Sequence, residues 1–183
     1  MKTALLSIDM QMGMADRIAA GRQQANPQAE AHVAALLALF RGQGWPVVHV
    51  FHDEPGTPFA RDLPGGQPMP CALPVAGEPV LWKSRSSAFA GTGLEALLRQ
   101  MGVERVVVVG AVAAFCVTST VRSASDLGFA VLLPGDALLA FDLAALDGGR
   151  LDARDILRMT LAVLGADFAR VLRADEVAAV IAA

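Results

Sequence analysis

Four consecutive valines, Val106 to Val109, closed by Gly110, constrain this chain more than any other feature. A run this short, with no polar alternation, fits a strand buried on both faces. Such strands belong to parallel sheets held between layers of helices. A helical pattern begins near Phe115, so Cys116 falls where a buried strand passes into a helix. Unpaired N–H groups at a helix N-terminus favour a thiolate and can hold a developing oxyanion. The same cysteine could instead fill space in a core, as free cysteines commonly do.

The rest of the chain repeats the alternation. Apolar runs at 3–8, 46–51, 79–82, 105–109, 129–133 and 168–172 read as strands. Helical periodicity marks 29–40, 92–101, 115–127 and 151–164, with a closing helix at 174–182. Asn26-Pro27 reads as a cap and first-turn proline for the first helix, and Thr92 as the cap of the second. Gly42 and Gly44, Gly102, Gly128 and Gly165 read as helix stops. Residues 52–78 hold many of the prolines and glycines and show no period, which makes them a long loop of the kind that usually carries function. Strands alternating with helices predict a three-layer α/β/α sandwich around a parallel sheet, as one domain over 1–183.

Composition closes off several classes. The net charge is −3 with no cluster of Lys and Arg, so the basic footprint of a nucleic-acid partner is missing. No stretch approaches the ~20 apolar residues that span a bilayer. Asp9 interrupts the apolar N-terminal run too early for a signal peptide, and two cysteines, Cys71 and Cys116, do not make a disulfide framework. The expectation is a cytoplasmic protein with reduced thiols.

In open parallel sheets, ligands bind beyond the carboxyl ends of the strands. Asp9, His52 and Lys83 follow the first three strands, and Cys116 lies just past the fourth. Singly, Asp9, Lys83 and Cys116 have bland readings: a turn residue, a solvated lysine, a core thiol. Of the three histidines, His32 reads as a solvated helix residue and His49, mid-strand, as a core residue, so His52 is the one placed at the strand ends. Together, on strands expected to lie side by side, they supply a base, a cation and a soft nucleophile. A carboxylate near a thiol can take its proton, and a lysine near both stabilises the charged forms.

Several segments then resemble the isochorismatase-like cysteine hydrolase superfamily. They are Ala4-Leu-Leu-Ser-Ile-Asp9-Met-Gln11, His49-Val-Phe-His52-Asp53, Gly77-Glu-Pro-Val-Leu-Trp-Lys83, Ser87 to Leu94, and Val109-Gly110 through Cys116-Val117 with Thr120, Arg122 and Ala124. The resemblance implies an Asp9–Lys83–Cys116 triad and a non-proline cis peptide at Val112–Ala113. It implies an oxyanion hole from the amides of Ala113 and Cys116, with Gln11, His52 and Phe115 at the substrate. It further implies C–N bond cleavage of a small amide or ureide through a thioester, in a homodimer or larger homo-oligomer. A non-catalytic binding or scaffold protein on the same fold is the alternative. This chain departs from many relatives at Met12-Gly13-Met14, at Ala113-Ala114 and at Leu157, changes that make the pocket more apolar. Met14, Phe51, Phe59, Trp82, Phe89 and Phe115 are the apolar residues expected to line it. The histidine arrangement that holds a metal in nicotinamidase relatives is broken after His52, so no metal or other cofactor is expected.

Overall fold

A computed structural model describes residues 1–183. Six strands form one fully parallel sheet: β1 (Thr3–Ile8), β2 (Val47–His52), β3 (Val80–Lys83), β4 (Arg105–Gly110), β5 (Ala130–Pro134) and a last strand at Arg170–Leu172. A two-stranded antiparallel ribbon, β6 (Leu143–Ala144) with β7 (Arg150–Leu151), precedes that last strand, β8. The order across the main sheet is β3-β2-β1-β4-β5-β8.

The valine run behaves as its sequence predicts. Along β4, Val106 and Val108 face one apolar layer while Val107 and Val109 face the other. The alternation follows from the two-residue period of a strand, and all four side chains are fully buried. Each such burial is worth about 2 kcal/mol of transfer free energy, so this strand anchors both layers. On one side pack α3 (Leu94–Gln100), α4 (Thr118–Asp126) and α5 (Ala153–Asp167), through Leu98, Val121 and Leu164. On the other side lie α1 (Met12–Ala19), α2 (Ala29–Gly42) and α6 (Val177–Ala182), through Met14, Leu37 and Val177.

Three details differ from the expected elements. Helix α1 follows Gln11 directly, in a stretch whose short length gives little periodicity to read. Asn26 does not cap α2; its amide donates to the carbonyls of Gly135 and Leu138, tying the approach of α2 to the loop after β5. Gly165 does not end α5, which continues to Asp167. Thr92 does act at the start of α3, where its hydroxyl accepts the Leu94 N–H at 3.2 Å.

Gly110 is the pivot between the sheet and the site. Its φ is +115°, and a Cβ there would lie 2.1 Å from the Ile8 carbonyl oxygen. Only glycine lets β4 turn away from β1 at this point.

Candidate active site

The carboxyl ends of β1, β2, β3 and β4 open onto one cavity of about 350 Å³, a volume suited to a small molecule. Asp9, His52 and Cys116 reach it from three of these ends. Lys83 comes from the fourth, beneath them. The expectation that Asp9, Lys83 and Cys116 end adjacent strands is corrected here, because β2 lies between β3 and β1. At ~4.8 Å per strand, β3 and β1 lie about 10 Å apart, and the Lys83 and Asp9 side chains close that gap from opposite sides, over the end of β2 where His52 is the register partner of Lys83. The long lysine side chain makes this possible.

The Lys83 ammonium organises the site. It donates to Asp9 Oδ2 at 2.8 Å and to Cys116 Sγ at 3.2 Å, and lies 3.2 Å from His52 Nδ1. Its three protons thus face Asp9, Cys116 and His52, and the other ring nitrogen of His52, Nε2, lies 3.6 Å from a Glu54 carboxylate oxygen. Both members of the Lys83–Asp9 pair are buried. Asp9 is the one non-glycine residue with positive φ, +49°, a conformation that turns its carboxylate from the end of β1 into the cluster. Its other oxygen, Oδ1, is buried with no hydrogen-bond donor and is free to accept a proton.

Electrostatics revise one expectation. Cys116 lies in a single π-turn, Ala113–Val117, that leads into α4, a placement that by itself lowers a thiol pKa. Burial and the Asp9 charge outweigh it and push the Cys116 thiol up to about 12, against a smaller downward pull from Lys83. Burial likewise raises Asp9, with Lys83 opposing. Cys116 therefore rests as a thiol beside the Asp9 carboxyl group.

One of the two backbone amides expected to form an oxyanion hole is already committed. The Ala113 N–H is spent on the Leu139 carbonyl at 2.8 Å and cannot serve. Val112 lines the cavity, and its N–H donates to no acceptor within the chain. The cis peptide is Ala111–Val112, one bond earlier than expected.

Gln11 lies under the cavity rather than in its lining. Its amide nitrogen donates to the carbonyls of His52 and Gly66, and its Oε1 accepts the His52 N–H at 2.8 Å. With every polar atom committed to backbone, it positions His52 and the 52–78 loop instead of touching substrate. Phe115, half exposed, stands at the cavity mouth. Met14 and Phe59 line the walls as expected, whereas Phe51, Trp82 and Phe89 pack elsewhere. Phe141, Arg17 and Arg22 also line it and carry no motif that sequence reading could have found.

Asp9, His52 and Cys116 offer three ligand atoms within 4.8 Å of one another, the one grouping dense enough to consider for a cation. The Lys83 ammonium already bonds to all three residues, and a metal ion would have to displace that charge.

A parallel α/β sheet whose strand ends join a cysteine, a carboxylate and a lysine defines a hydrolase scaffold of the isochorismatase type. Residues 3–180 match the isochorismatase domain, and the chain belongs to the isochorismatase family. It is similar to a solved hydrolase of that family from Chromobacterium violaceum, at 38% identity and a TM-score of 0.92 over 99% of this chain and 94% of the other. An isochorismatase family protein of Bacillus subtilis is 32% identical over 96% of this chain and 94% of its own length. A maleamate amidohydrolase of Pseudomonas putida is 34% identical over 72% of this chain and 70% of its own.

Proposed function

We propose that this protein is a cysteine-dependent amidohydrolase that cleaves the C–N bond of a small amide or ureide through a thioester. The observation that carries the reading is the Lys83 ammonium, bonded at once to the Asp9 carboxylate and the Cys116 sulfur at the floor of a small cavity. The similarity to an amidohydrolase supports it.

In this reading Asp9 takes the Cys116 proton as sulfur attacks the substrate carbonyl. Proton transfer and attack are concerted, because a thiol titrating at about 12 gives no standing thiolate at neutral pH. The carbonyl oxygen becomes an oxyanion held by the N–H groups of Val112 and Cys116. Asp9 returns the proton to the leaving nitrogen as the C–N bond breaks, which releases the amine or ammonia and leaves a thioester on Cys116. Water, deprotonated by Asp9, then attacks the thioester and releases the acid. Lys83 keeps Asp9 oriented and balances its charge throughout.

The test is a panel of small amides and ureides scored by ammonia release. At least one should be turned over by the native protein, with Cys116→Ala inactive and an acyl adduct on Cys116 detectable by mass spectrometry. Hydrolysis that persists in the Cys116→Ala protein would overturn the mechanism.

A further inference from the structure

The arginine side of the cavity has no part in the chemistry above. Arg17 extends from the last turn of α1 into the cavity wall, on the same opening that exposes Cys116. Its guanidinium lies over the Phe59 ring at 5.0 Å and touches the Met14 sulfur at 3.8 Å. It forms no ion pair. The other arginine that lines the cavity is matched: Arg22 pairs with Asp142 at 3.1 Å, and Arg150, outside the lining, pairs with the same carboxylate. That trio carries two positive charges on one negative. The remaining acids, Asp9 and Glu54, are held by Lys83 and beside His52.

The α1 wall therefore presents unneutralised positive charge into a small, half-enclosed space. Burial and the nearby Arg22 charge both pull the Arg17 pKa down, so the guanidinium is in a setting that an anion would relieve. Position in the last turn of a helix is mildly favourable for a cation. It does not account for a planar guanidinium laid over an aromatic ring whose N–H groups meet no oxygen acceptor, one of them donating only to the Met14 sulfur. Such a fork recognises carboxylate in bidentate fashion.

We infer that Arg17 is a carboxylate-binding residue, and that the substrate is a small amide bearing a carboxylate, its anionic end on Arg17 and its amide at Cys116. The inference rests on the amidohydrolase reading for the amide end only. The carboxylate end follows from the charge pattern of the wall.

Half-amides of malonic, succinic and glutaric acids, each paired with the uncharged amide of matching length, test it. Binding is measured by calorimetry in the Cys116→Ser protein, where no turnover is needed. At least one half-amide should bind ~10-fold or more tighter than its uncharged partner, the scale of a charge-assisted pair. In the same background Arg17→Gln should erase that preference and Arg17→Lys should keep part of it, with unchanged thermal unfolding excluding misfolding. In the native-cysteine enzyme, Arg17→Gln should raise KM for the half-amide at least ~10-fold more than for the uncharged amide, with kcat little altered. A half-amide preference that survives in Arg17→Gln, or no preference in the starting protein, overturns the inference. Hydrolysis of amides without charge preference would remove the carboxylate site and leave the amidohydrolase reading standing. Arg17-dependent binding with no hydrolysis of any amide would do the reverse.

Discussion

At the scale of single residues, the site turns on how one proton is held between Asp9 and Cys116. The Asp9 charge is the second cause of the raised thiol pKa, after burial. Asp9→Asn removes that charge and leaves Lys83 unopposed, so the thiol pKa should fall below about 12. Alkylation by iodoacetamide at mildly alkaline pH should then be faster than in the native protein, while turnover drops at least ~10²-fold for want of a base. Lys83→Ala should slow alkylation and turnover together. An Asp9→Asn thiol alkylated no faster than the native one would show that Asp9 does not control the cysteine. The three residues were readable because strand ends converge in a parallel sheet. Their electrostatics were not, since a helix-start argument carries no information on burial. The commitment of the Ala113 N–H was equally hidden: it depends on a bond to Leu139, a residue distant in sequence.

At the scale of elements, one polar cluster fixes the edge of the sheet nearest Lys83. Glu78, just before β3, accepts two bonds from Arg41 of α2 and one from the Val75 N–H, and pairs with the buried His49 of β2 at 2.9 Å. Those hydrogen bonds outweigh its desolvation and lower its pKa to about 2. A lowered carboxylate pKa stabilises the fold above the ordinary value of 4.5, and the contribution is lost as pH falls from there through about 2. Burial lowers the His49 pKa, with Glu78 opposing. Glu78→Gln should therefore cost about 1–3 kcal/mol at neutral pH. Its denaturant midpoint should also change less than the native one between pH 4.5 and 2. Parallel pH curves for the two proteins would assign that acid sensitivity elsewhere. His49 was legible as a core residue, but its partner lay in the aperiodic 52–78 loop. Likewise α1 was missed because eight residues hold barely two turns of pattern.

At the scale of the whole molecule, the six strands of the parallel sheet were legible from the alternation of short apolar runs and helical periods, whereas the two-residue strands of the β6–β7 ribbon are too short to leave a pattern. The strand order was not, because each crossover can pass to either side, and placing β2 between β3 and β1 is what makes Lys83 reach so far. No helix is long and apolar enough to cross a membrane. The outer surface nonetheless carries large apolar side chains. On α5, Met159 and Val163, one turn apart and so on one face, are 63% and 45% exposed, and Leu151 just before the helix is 50% exposed. A helix that covers a sheet with one face and shows apolar residues on the other is better satisfied by a second chain than by water. The protein is therefore expected to be at least a homodimer, with α5 in the interface. Light scattering at micromolar concentration should give a mass of two or more chains, and Met159→Glu combined with Val163→Lys should shift it toward one. A single-chain mass for the native protein would refute the expectation. An oligomer unaffected by the double substitution would move the interface off α5.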